Sequence, residues 1–238
     1  MEFGSQKATI CIVSLALASF AGAAELRWDV RHERMLRDRA GVLTIDEQGV
    51  TYVEKGKTAR WEYQDIQQLW VSPEKLVLVT YKDRPWLLGI DKEFEFFLAQ
   101  GGQSFEPAYG MLKDKLDQRF VAALADSNPD ALWQIPVKLT GVIRGSEGVL
   151  QVGPERVVYK TEDDGKSRTW RYADIENVST SGPFQLTLTT YERSKTHYGG
   201  WKGFNFQLKQ RLDEKRFDLL WKRLNREKGL RFLSSISE

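Results

Sequence analysis

GVLTIDEQGVTYVEKGKTARWEYQDIQQLWVSPEKLVLVTY, residues Gly41 to Tyr81, returns once in this chain. The second version is GVLQVGPERVVYKTEDDGKSRTWRYADIENVSTSGPFQLTLTTY, residues Gly148 to Tyr191. Two small gaps align them, one before Gly165 and one near Gly182. The shared anchors are Gly41/Gly148, Val42/Val149, Leu43/Leu150, Tyr52/Tyr159, Trp61/Trp170, Tyr63/Tyr172, Asp65/Asp174, Ile66/Ile175 and Tyr81/Tyr191. The offset grows from 107 residues at the first anchor to 110 at the last. That is the length of a domain, far longer than a solenoid unit. The reading is a duplicated domain, each copy large enough to bury its own core.

Within a copy the pattern is short alternating runs broken by turn residues. Val42 to Asp46 alternates, Asp46-Glu47-Gln48-Gly49 turns, and Val50 to Glu54 returns. Glycine at the end of that turn is expected to supply an unusual backbone angle. Lys55-Gly56-Lys57 turns into Ala59 to Tyr63. Ile66 to Val71 and Lys75 to Tyr81 flank Ser72-Pro73, and Trp86 to Ile90 and Phe94 to Leu98 complete the set. Such closely spaced strands predict an antiparallel barrel or sandwich. Trp28-Asp29-Val30 and Trp133-Gln134-Ile135 extend the repeat upstream.

A helix is expected to close each copy. In the first, Pro107 suits an opening helical position, and Leu116, Phe120, Ala123 and Leu124 share a helical face. In the second, Asp213 is the expected N-cap, Leu212 and Phe217 the staple, Gly229 the stop. Phe217, Leu220, Trp221 and Leu224 form its apolar stripe. The turn-rich run Ala125 to Asp130 marks the boundary. The expected division is a signal peptide at 1–24, a first domain at 25–126, a linker at 127–131 and a second domain at 132–238.

The leader carries its own signals. Lys7 precedes the apolar run Ala8 to Phe20, which has the length of a signal-peptide core and is short for a membrane span. Ala21-Gly22-Ala23 fits a cleavage site, with Gly22-Ala23-Ala24 as the alternative. An uncleaved anchor or a buried helix is the other reading of this segment. Cys11, the single cysteine, lies inside it, so the mature chain would form no disulfide. The expected location is the periplasm, or the medium after secretion. Thirty-five basic residues against 33 acidic ones leave a formal charge of +2. That balance gives no broad field for nucleic acid, and none is expected as a partner.

The succession of G-V-L-x-[IV] strand, tight turn, V-x-Y strand, W-x-Y-x-D-I turn, further hairpins and closing helix resembles the pleckstrin-homology-like (PH-like) barrel. The likeness is to its bacterial and GRAM-like branches. It implies a mainly β fold with C-terminal helices: two PH-like antiparallel β-barrels, each capped by one α-helix. It also implies a binding scaffold rather than an enzyme. Phosphoinositide-binding members carry a basic first hairpin. Here the matching turns are the acidic Asp46-Glu47-Gln48-Gly49 and the nearly neutral Gly153-Pro154-Glu155-Arg156, which argues against that ligand in both copies.

Catalytic and metal-binding patterns are thin. The two histidines, His32 and His197, sit in different copies. No zinc spacing, EF-hand loop, nucleophile elbow or P-loop appears. No cofactor and no metal site are expected. Asp65 and Asp174 read as turn caps rather than paired binding carboxylates. The candidate binding site is the long hairpin YERSKTHYGGWKGFNF, Tyr191 to Phe206. Arg193, Lys195, His197 and Lys202 alternate there with Tyr198, Trp201 and Phe204. Cations among aromatics suit anionic or sugar-like partners. A surface hairpin whose aromatics pack on the barrel is the plainer alternative.

The copies differ on one strand. Leu186-Thr187-Leu188-Thr189 is apolar on one face, whereas Leu76-Val77-Leu78-Val79 is apolar on both. Trp70 adds to this where the second copy has Ser179. A face of Trp70, Val77 and Val79 is expected to be covered, by the other domain or by a partner. The expected function is an exported, non-catalytic adaptor recognising an envelope protein or an extended peptide. An anionic membrane surface and an enzyme acting on envelope sugars are the alternatives.

Overall fold

The computed structural model describes residues 25–33, 38–84, 87–127, 130–141, 144–194 and 200–229. The expected signal peptide lies outside them. In the first half, β1 (Leu26–Glu33), β2 (Arg39–Ile45), β3 (Gly49–Glu54) and β4 (Lys57–Glu62) follow by hairpins. A 3-10 turn at Tyr63–Asp65 leads into β5 (Ile66–Val71), β6 (Lys75–Arg84) and β7 (Leu87–Leu98), and β7 returns to pair β1. A six-residue helix α1 (Pro107–Leu112) and a short strand β8 (Phe120–Ala122) close this half. The second half runs β9 (Trp133–Leu139), β10 (Ser146–Val152), β11 (Arg156–Thr161), β12 (Arg168–Arg171), a 3-10 turn at Tyr172–Asp174, β13 (Ile175–Ser179), β14 (Gln185–Arg193), β15 (Trp201–Leu208) and the helix α2 (Glu214–Glu227).

The two halves have the same spatial strand order. It is β5-β6-β7-β1-β2-β3-β4 in one and β13-β14-β15-β9-β10-β11-β12 in the other. β8 joins them into one open ladder of fifteen strands, parallel to β5 and antiparallel to β12. The protein is therefore mainly β, with its long helix at the C-terminal end.

Each half has a hydrophobic cluster drawn from its own strands. Trp28, Leu43, Tyr52, Leu69 and Phe96 belong to one, and Trp133, Leu150, Tyr159, Val178 and Phe206 to the other. The anchoring glycines earn their place by close approach. A Cβ on Gly41 would lie 2.5 Å from the Val53 carbonyl oxygen, and one on Gly148 would lie 2.2 Å from that of Lys160.

Three local expectations are corrected. The helix expected through Leu116, Phe120, Ala123 and Leu124 stops at Leu112, and Phe120 belongs to strand β8. The cause lies in the packing: Phe120-Val121-Ala122-Ala123-Leu124 is buried at every position. A helix with one core face would expose part of such a run, whereas a strand enclosed on both faces buries it. Gly49 does not take a positive φ. Its turn is closed by the Asp46 carboxylate, which accepts the amides of Gln48 and Gly49 at 2.7 and 3.0 Å, and a Cβ there would lie 2.2 Å from the Trp61 carbonyl oxygen. Trp221 leaves the buried stripe of α2 and is 39% exposed, while Leu220 and Leu224 hold the core. The ends of α2 follow the sequence: Asp213 accepts the Arg216 amide at 2.9 Å, and Gly229 has φ 74°.

Candidate functional site

The chemistry of this molecule gathers where the second half meets the first. β14 ends with Glu192 and Arg193, β15 begins with Trp201 and Lys202, and β12 supplies Arg168. Glu192 is 3% exposed and Arg168 6%. Arg168 Nε lies 3.8 Å from Glu192 Oε2, and its Nη1 donates to the carbonyls of Gly165 and Ser167 at 2.9 and 2.8 Å. Burial lowers the guanidinium pKa and Glu192 raises it. Arginine keeps its proton in a protein, so the buried pair is an ion pair. Lys202 joins Glu192 from the other side.

These cations face an aromatic ring of the first half. The Arg168 guanidinium carbon and Lys202 Nζ each lie 5.1 Å from the centroid of Trp70. Trp70 pairs with Val77 on β6 and Val121 on β8, so the three side chains stand in one row on the same face. Val77 and Val121 are buried, and Val79 is half-buried one step along β6. Beside this row, Arg193 Nη1 donates to Gln67 Oε1 and Asp91 Oδ2, both at 2.6 Å.

The seven hairpin residues therefore divide. Arg193 and Lys202 are directed to the first half. Phe204 is buried, with its ring 4.8 Å from that of Trp170. Trp201 is 51% exposed and stands edge-on to Tyr191 at 5.2 Å. Lys195, His197 and Tyr198 lie outside the described residues. Among the candidates with described side chains, Trp201 alone offers a large apolar surface to a ligand.

A second contact binds the halves. Arg171 donates to the carbonyls of Lys113, Leu116 and Asp117, with the last at 2.6 Å, closing the turn that follows α1. Asp174 holds that guanidinium with both carboxylate oxygens, at 2.6 and 2.9 Å, and accepts the Arg171 amide at 2.9 Å. Burial pushes the Asp174 carboxyl up while Arg171 pulls it down, and burial wins. Asp65, the matching residue, is exposed. The linker end is held too: the Asp126 amide donates to Thr169 Oγ1, which donates to the Leu124 carbonyl, both at 2.9 Å.

Sequence reasoning missed Arg168, Glu192 and Arg171. Their signal was the contrast between copies, since the aligned first-copy residues are Ala59, Lys82 and Glu62. Among the described residues no group of three His, Cys, Asp or Glu side chains could hold a metal ion.

No family model matches the sequence, and no curated protein matches it. Solved structures that resemble the fold loosely include the following two. One is the C-terminal domain of an unknown protein from Leishmania infantum, 11% identical with a TM-score of 0.31, covering 40% of this chain and 83% of that one. The other is the Spt16D Pob3N heterodimer, 12% identical with a TM-score of 0.30, covering 71% of this chain and 84% of that one. Likenesses at this level carry no argument about what the chain does.

Proposed function

We propose that the protein is a non-catalytic binding module of two PH-like barrels, at 25–126 and 132–238, that receives an extended peptide along a strand edge. The reading takes residues 1–24 as a cleaved export signal and an envelope protein as the source of the peptide. The observation that supports it is β8, an extended segment held edge-on by β5 on one side and β12 on the other. Edge addition uses backbone hydrogen bonds for affinity and side-chain pockets for selectivity. β4 is the first-half counterpart of β12, and among the described residues no strand lies on its outer side. Its two-residue turn, Lys55 at φ 44° and Gly56 at φ 76°, makes Glu54 and Lys57 the closing pair. The backbone groups of Thr58 and Arg60 then point outward.

Crosslinking of the affinity-tagged chain in its native host identifies a candidate partner, and peptides from that partner are then titrated. Thr58→Pro removes an outward donor at an edge position that tolerates proline. Binding should fall at least tenfold in Thr58→Pro and stay within twofold in Trp201→Ala. The reverse pattern would move the site to the hairpin. Absence of peptide binding to the wild type would end this reading.

One observation favours an anionic membrane surface as a second reading. The outer face of α2 carries Lys215, Lys222, Arg223 and Arg226, with one carboxylate, Asp218, around a shallow depression that includes Leu219. Cations near such a surface contribute about 1 kcal/mol each. Salt-sensitive flotation with anionic vesicles, lost in a Lys215→Ala, Lys222→Ala, Arg226→Ala form, would support it. Among the described residues no helix is long and apolar enough to cross a membrane.

A further inference from the structure

We propose that the seam between the halves is a binding site for one water molecule, which joins the Trp170 indole to the Glu192 carboxylate. A small cavity lies at this place. β8 forms one wall, and Thr169, Trp170, Asp174, Thr190 and Glu192 of the second half form the other. Of all the residues that line it, Gln118 alone is exposed. The space open to the centre of a water-sized sphere is about 10 Å³. That is close to what a single water needs.

Room alone does not hold water, since an apolar cavity stays dry. Here three buried polar atoms meet no hydrogen-bonding group among the described residues: Trp170 Nε1, Glu192 Oε2 and Arg168 Nε. Arg168 and Trp170 are two positions apart on β12 and so share a face. Both stand against the Phe204 ring, the guanidinium carbon at 5.9 Å and the indole at 4.8 Å from its centroid. Arg168 Nε and Glu192 Oε2 lie 3.8 Å apart. That is too far for a direct hydrogen bond and close enough for one water to reach both.

The other polar groups of the lining are already engaged. Asp174 holds Arg171, and Thr169 Oγ1 lies between the Asp126 amide and the Leu124 carbonyl. Thr190 Oγ1 donates to the Lys202 carbonyl at 3.2 Å, and Glu192 Oε1 accepts from Lys202. The water then accepts the Trp170 and Arg168 N–H groups and donates to Glu192 Oε2. Three bonds are the usual number for a buried water. Two N–H donors speak against a metal ion here, and the carboxylate speaks against an anion. The site is particular to the second half. The aligned first-half residues are Ala59, Trp61 and Lys82, which keep the indole and lack the ion pair. This inference does not rest on the peptide-binding reading.

The test is solution NMR on the full wild-type chain with isotope-labelled tryptophan. The Trp170 indole signal is assigned by its loss in Trp170→Phe. Cross-relaxation from water should reach that indole proton with the sign of a water held inside the protein, opposite to that of fast surface hydration. The same signal should persist in Thr169→Val and in Thr190→Val, so that neither hydroxyl relays it. No signal, or a signal of the surface sign, would overturn the proposal. So would its loss in either threonine variant with the other indole signals in place. Magnetic relaxation dispersion of the solvent oxygen gives a second readout, because its amplitude counts long-lived waters. Trp170→Phe should lower that amplitude by the contribution of one molecule, and an unchanged amplitude would also overturn the proposal.

Discussion

The two halves have one strand order and opposite outer faces. On β13, β14 and β15 the outer row is Ser179, Thr187 and Asn205, with Thr187 Oγ1 bonded to Asn205 at 2.8 Å, and it is polar and largely open. On β5, β6 and β8 the same row is Trp70, Val77 and Val121, and cations of the second half lie over its indole. The ladder rules are common to both halves, so strand order survives sequence divergence. What differs is the partner of each face. The first half has an apolar face, and Arg168 and Lys202 of the second half lie over its Trp70 ring while Glu192 pairs with both cations.

If that division is right, the largest effect should come from Glu192. Glu192→Ala leaves Arg168 buried without its counter-charge and should cost about 3–5 kcal/mol of unfolding free energy. Lys82→Ala, at the aligned exposed position, should change stability by less than about 0.5 kcal/mol. Denaturant melts of both compare the halves directly, and equal costs would remove the distinction. Next comes Val77→Glu with Val79→Glu, which buries carboxylates under the second half and should cost about 2–4 kcal/mol. Thr187→Glu on the open face should cost less than about 0.5 kcal/mol by the same melts.

Other substitutions should act alike in both halves. Gly41→Ala and Gly148→Ala each force a Cβ into a neighbouring backbone carbonyl, and each should cost about 1–3 kcal/mol in thermal melts. Smallest are the paired tyrosines. Burial pushes both Tyr63 and Tyr172 up to about 12 from the ordinary 10.0, and each hydroxyl donates to a carbonyl, of Asp46 at 2.7 Å and of Gly153 at 2.8 Å. Because the folded pKa is the higher, the folded state holds its protons longer. Their contribution is intact below pH 10 and is lost as pH rises towards 12. Tyr63→Phe or Tyr172→Phe should cost about 1 kcal/mol at neutral pH and flatten the alkaline fall in a pH series of denaturant midpoints.

The strands were legible because period-two alternation and turn residues are local. β4 and its Lys55-Gly56 turn, or α2 with Asp213 and Gly229, need only neighbouring residues to be read. The end of α1 was not legible by the same means. Phe120 to Leu124 satisfies a helical spacing, and only the presence of β5 and β12 on either side makes it a strand. The hairpin was legible as a cluster of cations and aromatics but not in its direction. Nothing local in Arg193 or Lys202 says that Asp91 and Trp70, more than a hundred residues away in the sequence, are their partners. Glu192 and Arg168 were hidden for the same reason, since a charged residue in a β pattern is ordinarily exposed.

The account turns on β8 stitching the halves into one ladder, and amide exchange measures that directly. The Ala123 amide donates to the Val71 carbonyl at 2.7 Å, and the Asp126 amide donates to Thr169 at 2.9 Å. Both should exchange as slowly as the core amides of Leu43 and Leu150, opening only with global unfolding. Rapid exchange at Ala123 and Asp126, with both cores still protected, would mean two barrels that merely share a chain.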